Sequence, residues 1–101
     1  MPTKITLVID NPEDPAAFEP VYQQIADLGR RLPGLVRAES ATVWPKEVGT
    51  PTPAHRSLDL YFDSYEDASA AVSTATAQDL FGRLIGSGVG FTGLFSDIEA
   101  E

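Results

Sequence analysis

The hydrophobic periods of this chain predict an α+β fold in the order strand, helix, strand, strand, helix, strand. Three observations carry that expectation. Leu58, Leu60 and Phe62 alternate with Asp59, Tyr61 and Asp63, the period-2 pattern of a strand with two unlike faces. This strand runs straight into Ser64, with Asp67 three residues later, the spacing of a capping box at a helix start. The first half repeats the arrangement, from alternating Ile5, Leu7 and Ile9 to the helical spacing of Phe18, Tyr22, Ile25 and Leu32. Two such halves form the split βαβ, or ferredoxin-like, arrangement (βαββαβ), a four-stranded antiparallel sheet with helices on one face.

Taken in order, Lys4 to Asp10 forms the first strand, and Asn11-Pro12-Glu13-Asp14-Pro15 is a turn. Proline is excluded from a helix interior, so Pro20 places the start of the regular first helix near Glu19. Pro33-Gly34 ends it. Leu35 to Trp44 is the second strand, closed by Pro45. Lys46 to Ala54, with Gly49, Pro51 and Pro53, is an exposed irregular loop. Arg56 to Asp63 is the third strand. The second helix starts at Ser64 and buries a stripe of small residues, Ala68, Ala71, Val72 and Ala75. Thr76 and Asp79 repeat the capping-box spacing and predict a short further helix carrying Leu80, Phe81, Leu84 and Ile85. Gly86-Ser87-Gly88 stops it. Val89 to Ile98 is the last strand, with Gly90 and Gly93 as expected bulge positions.

All 101 residues form one domain, since this length suits one compact core. Hydrophobic residues make up 43% of the chain and charged residues 22%, a globular balance. The formal charge is −8, and Arg30-Arg31 is the only adjacent basic pair. A nucleic-acid partner needs a clustered basic face and an anionic membrane needs attractive charge, so neither is expected. The absence of cysteine removes disulfides, thiolate chemistry and cysteine-held metals. No apolar run is long enough for a signal sequence or a membrane span, and a cytoplasmic protein is expected.

The helices leave one sheet face open, and a solvated face should read polar. Strands one and three obey this rule. In strand two, Val36 and Trp44 share one face while Leu35 and Val43 share the other. In strand four, Phe91 and Phe95 oppose Leu94 and Ile98. Apolar residues on both faces predict burial on both sides. The simplest cover is a second copy of the same sheet, an isologous homodimer with a cavity suited to a small apolar ligand.

With these elements placed, the chain resembles the EthD (ethyl tert-butyl ether degradation) family of the dimeric α+β-barrel superfamily. The likeness lies in Asp14-Pro15-Ala16-Ala17-Phe18 with Tyr22, in Leu32-Pro33-Gly34-Leu35, and in Leu60-Tyr61-Phe62-Asp63-Ser64. These segments match in order and spacing across nearly the whole chain. The resemblance implies a small homodimer whose two sheets close into a barrel. Relatives by fold include cofactor-free monooxygenases, lactone isomerases, polyketide cyclases and heme-binding enzymes, and a shared fold does not fix the function. The family usually carries a histidine in its first helix after an aromatic pair. Here the pair is reduced to Val21-Tyr22, and Ile25 or Ala26 occupies the histidine position. Neither can transfer a proton.

Among candidate site residues, His55 is the single histidine and has the one side chain whose ordinary pKa lies near neutrality. Strand alternation puts His55, Ser57, Asp59, Tyr61 and Asp63 on one face. Positions two apart on a strand are about 6.6 Å apart and positions four apart about 13 Å, which disfavours a Ser-His-Asp triad and prevents His55 and Asp59 from holding one metal. A polar face lining a wet dimer cavity is the simpler reading. His55, Asp59 or Tyr61 as a lone proton-handling group is the functional one. Tyr22, Trp44, Tyr61 and Phe91 are the pocket-lining candidates, against ordinary core and interface packing. No metal-ligand spacing appears, and no cofactor is expected. Gly86-Ser87-Gly88-Val89-Gly90 follows a helix and opens a strand, the reverse of a dinucleotide fingerprint, and reads as a turn. Arg37 and Glu39 share a side of strand two and can pair. The position of His55 at a strand start beside a loop suits heme poorly.

The expected function is a small-molecule-binding or accessory protein of a catabolic or biosynthetic pathway. The alternatives are a cofactor-independent monooxygenase or cyclase acting on a small apolar or aromatic substrate, and a structural dimerisation module.

Overall fold

The computed structural model describes residues 1–99. Its elements are β1 (Thr3–Ile9), α1 (Pro15–Arg30), β2 (Leu35–Thr42), β3 (Arg56–Phe62), α2 (Tyr65–Val72), α3 (Ala75–Gly86) and β4 (Phe91–Asp97). The strands form one antiparallel sheet in the order β2-β3-β1-β4, which is the ferredoxin-like arrangement. The two central strands register Ile5 with Leu60 and Leu7 with Leu58. These four side chains are buried with Ile9 and Phe62 against Phe18, Tyr22 and Ile25 of α1 and Leu80 and Leu84 of α3. One sheet face therefore carries the core, and the other carries no helix.

Local chemistry shifts several boundaries from those the sequence predicts. Helix α1 starts at Pro15, not near Glu19, because Asp14 caps it by accepting the Ala17 N–H at 3.2 Å. Pro15 fits the first helical position, whose N–H has no partner in the helix. Pro20 then falls inside the helix. It points to solvent, and Ala16, whose carbonyl would take the missing N–H, is also exposed and can bond water. Ser64 caps α2 as expected, accepting the Asp67 N–H at 3.1 Å. The cap of α3 is Thr74, which accepts the Ala77 N–H at 3.3 Å, rather than Thr76. Helix α3 is accordingly longer than the short segment expected, and Ala75 is exposed at its start.

The expected bulges in the last strand do not form. β4 pairs with β1 in unbroken register, and Gly93 sits beneath Leu7. The irregularity lies in β2, where the register shifts between Leu35 and Arg37. Val36 is the extra residue and is exposed. The bulge turns Leu35 and Ala38 towards the helices and Arg37, Glu39 and Ala41 to the open face. Trp44 lies beyond the strand. The predicted two-sided apolar pattern of strand two is thus overturned. In β4, Phe91 and Phe95 share the register of Ile9 and Ile5 on the helix side, and Leu94 pairs across from Thr6 on the open side. Ile98 lies past the strand end, where its N–H bonds the Pro2 carbonyl at 2.8 Å.

Candidate functional site

The open face of the sheet is built from the alternate residues of all four strands. Its rows run Arg37–Tyr61–Lys4–Ser96, Glu39–Asp59–Thr6–Leu94 and Ala41–Ser57–Val8–Thr92. Side chains on this face reach one another because neighbouring strands stand about 4.8 Å apart. Tyr61 donates its hydroxyl to Glu39 at 2.7 Å, and the Arg37 guanidinium lies 3.8 Å from the centre of the Tyr61 ring. Arg37 also pairs with Glu39 at 2.5 Å, as their shared side of the strand allows. Thr6 donates to Asp59 at 2.5 Å, and Lys4 stands 3.8 Å from the same carboxylate.

These contacts shift the titration of Glu39 and Tyr61. The bonds from Tyr61 and then Arg37 hold the Glu39 carboxyl below its usual range. The bond to Glu39 pushes the Tyr61 phenol above its usual value, helped by burial and by the Asp59 charge. Tyr61 is thus a phenol that donates a hydrogen bond at neutral pH, and it cannot serve as a phenolate base. Asp59 already accepts from Thr6 and faces Lys4. Every charged strand residue of the open face, Lys4, Arg37, Glu39 and Asp59, has an opposite charge beside it.

His55 is not on this face. The ladder begins at Arg56, so the period of β3 does not extend to residue 55. The imidazole packs edge-on against Phe18 of α1, with ring centres 5.9 Å apart. Its Nε2 is buried without a hydrogen-bond partner among the described residues. The predicted row of His55, Ser57, Asp59, Tyr61 and Asp63 is corrected to Ser57, Asp59 and Tyr61 alone, since β3 spans only Arg56–Phe62.

Beside His55 lies a second polar cluster, between α1 and the sheet. Arg56 donates to both carboxylate oxygens of Glu19 at 2.8 Å and lies 4.5 Å over the ring of Tyr22. The Tyr22 hydroxyl meets Ser40 Oγ on β2. Burial works against the Arg56 charge, but its bonds to Glu19 and Tyr22 outweigh that and raise its pKa. The bonds from Arg56 and Gln23 lower that of Glu19. Nothing in the sequence spacing links Glu19 to Arg56 or Tyr22 to Ser40. The helix-to-sheet packing creates both pairs.

The remaining pocket-lining candidates separate in the same way. Tyr22 is buried in the core, and Phe91 packs on Phe81 of α3 with ring centres 6.2 Å apart. Both face the helices and line no open-face cavity. Trp44 is 80% exposed after β2. Of the four, Tyr61 alone lies on the open sheet face. Ile25 and Ala26, the positions matching the family histidine, are buried in the core.

A cleft of about 660 Å³ was not foreseen from the sequence. It lies where the β1–α1 and α3–β4 turns meet, and its lining includes the acidic Asp10, Glu13 and Asp14 and the apolar Phe18, Val21 and Val89. The two turn signals were legible, but their meeting in space was not. No group of three or more His, Asp or Glu side chains among the described residues is placed to hold a metal ion. No helix among them is long and apolar enough to cross a membrane.

No protein-family model matches the chain, and no curated protein matches it significantly. Solved structures do. An EthD family protein from Bacillus halodurans is 22% identical, over 98% of this chain and 100% of that one, with a TM-score of 0.81. A variant of SnoaB, a cofactor-independent oxygenase from Streptomyces nogalater, is 14% identical over 99% and 95% of the two chains, with a TM-score of 0.76. A dimeric ferredoxin-like protein of unknown function from Thermobifida fusca is 10% identical over 97% and 92%, with a TM-score of 0.73. The fold implied by the sequence resemblance is therefore the fold observed, a ferredoxin-like α+β domain similar over its whole length to an EthD family protein.

Proposed function

We propose that this chain forms a homodimer closed through the open faces of two sheets, and that it holds a small apolar or aromatic molecule as an accessory protein of a catabolic or biosynthetic pathway. The observation that carries this reading is the charge distribution. The chain as a whole carries −8, so two copies repel each other over most of their surface. The strand residues of the open face carry two cations, Lys4 and Arg37, against two anions, Glu39 and Asp59. A second copy can approach this neutral face without that repulsion. Val8 and Leu94 add apolar contact there, Leu94 being 49% exposed. The Thermobifida fusca protein of the same fold is described as dimeric. The cysteine-free composition fits the reducing cytoplasm.

The binding role is favoured over catalysis because the open face offers no free base. Asp59 and Glu39 are engaged by their neighbours, Tyr61 is held as a phenol, and His55 lies on the other side. The second reading, a cofactor-independent oxygenase or cyclase, is favoured by one observation, the buried and unpaired Nε2 of His55. Native mass spectrometry of freshly purified protein, set against the denatured mass, tests the proposal. A dimer with added non-covalent mass supports it. A dimer that never gains mass with any candidate ligand reduces it to a dimerisation module, and a monomer refutes it. Turnover of a substrate that His55→Ala abolishes would establish the second reading instead.

A further inference from the structure

The charged strand residues of the open face are two cations and two anions, so the excess of eight negative charges lies elsewhere on the chain. Part of it sits in the helical layer, behind the sheet. Glu13 and Asp14 precede α1, and Glu66 and Asp67 open α2. All four are exposed, and none joins an ion pair among the described residues. The subunit is a plate only 16 Å thick. Two plates stacked by their open faces therefore hold their helical layers about two thicknesses apart. At 0.01 M salt the Debye length is about 30 Å, close to that separation, and each layer feels the charge of the other. At 0.1 M it falls to about 10 Å, and the repulsion is largely screened. The open face responds differently. Its two ion pairs, Lys4–Asp59 and Arg37–Glu39, form within one subunit, and closure requires none between subunits.

We propose that ionic strength regulates assembly, the two subunits closing more tightly as salt rises. This inference rests on the sheet-to-sheet dimer proposed above. The sign of the salt effect is its signature. An interface held by ion pairs between subunits loosens in salt, because salt screens the attraction. Neutral faces on two bodies of like charge tighten in salt, because only the repulsion remains to be screened.

Sedimentation velocity over a dilution series, at total ionic strengths of 0.01 M and 0.3 M set with sodium chloride at neutral pH, measures the dimer dissociation constant. The expected constant is lower at 0.3 M by about tenfold or more. A double variant, Glu13→Gln with Glu66→Gln, separates charge repulsion from salting-out. Both residues are exposed, neither lies on a strand, and their replacement removes two of the eight excess negative charges. The double variant should dimerise about threefold or more tightly than the wild type at 0.01 M and match it at 0.3 M. Circular dichroism checks that it folds. A dimer that salt loosens or leaves unchanged, or a double variant that matches the wild type at 0.01 M, overturns the salt control while leaving the sheet-to-sheet dimer intact. A monomer at every ionic strength overturns both.

Discussion

The Glu19–Arg56 pair fastens α1 to β3, and Glu19→Gln tests how much it contributes. The substitution keeps the shape of the side chain and removes its charge. Arg56 is 17% exposed and donates two 2.8 Å bonds to the carboxylate, which is itself 40% exposed. A charge-assisted bond in a buried setting contributes about 1.5–3 kcal/mol. Water reaches Glu19 and screens the pair, so about 1 kcal/mol is the expected loss at neutral pH. For a domain this size that corresponds to a fall in Tm of roughly 4–8 °C. Asp79→Asn is the control, because Arg83 and Asp79 are both about half exposed and pair within one helix. It should cost at most about 0.5 kcal/mol. The pH dependence has a definite sign. The carboxyl of Glu19 is held below its ordinary value near 4.5, so its contribution is full above that value and disappears as pH falls through the lowered one. The wild-type and Glu19→Gln unfolding curves should therefore converge in acid. Urea titrations at several pH values measure this. Equal losses for Glu19→Gln and Asp79→Asn at neutral pH, or a gap that persists in acid, would refute the reasoning.

Three further outcomes follow from the packing. Gly29→Ala places a Cβ 3.1 Å from Leu60 Cδ2 and 3.6 Å from Leu58 Cδ2. Overpacking there should outweigh the better helix propensity of alanine and destabilise the domain by about 1 kcal/mol in urea unfolding. In an alkaline absorbance titration Tyr61 should ionise above the ordinary tyrosine value of 10.0, and Tyr61→Phe should remove that late component. His55→Ala should leave the dimer and any co-purifying ligand in place, judged by native mass spectrometry, because His55 faces Phe18 rather than the open sheet.

The strand order and the core of this fold were legible because their signals are local. The alternation around Leu58, Leu60 and Phe62, and the Ser64 cap, depend on neighbours within four residues. What the sequence left unread depends on partners distant along the chain. The bulge at Val36 carries no glycine or proline and is decided by where Phe62 and Tyr61 stand on β3. A one-residue slip there moves Arg37 and Glu39 to the open face and removes the apolar stripe read for that strand. Pro20 misled because its exposed side of α1 lets water replace the lost bond. The spacing of Thr76 to Asp79 favoured Thr76 as the cap, but the end of α2 at Val72 placed Thr74 at the turn. The site suffered most. The row of polar residues on β3 was read correctly from Ser57 to Tyr61, but His55 precedes the first ladder pair and turned towards α1. The pairing of Tyr61 with Glu39 and of Thr6 with Asp59 needed the register of three strands.

The central claim is that two open sheet faces meet. Leu94→Glu addresses it most directly, since Leu94 is half exposed on that face and its replacement leaves the core untouched. Each dimer would then bury two added carboxylates without partners, and a buried unpaired charge costs several kcal/mol. Sedimentation velocity of the wild type and Leu94→Glu, at matched concentrations and physiological salt, is the measurement. The account predicts a wild-type dimer and a folded Leu94→Glu monomer. A wild-type monomer, or a dimer indifferent to Leu94→Glu, would contradict it.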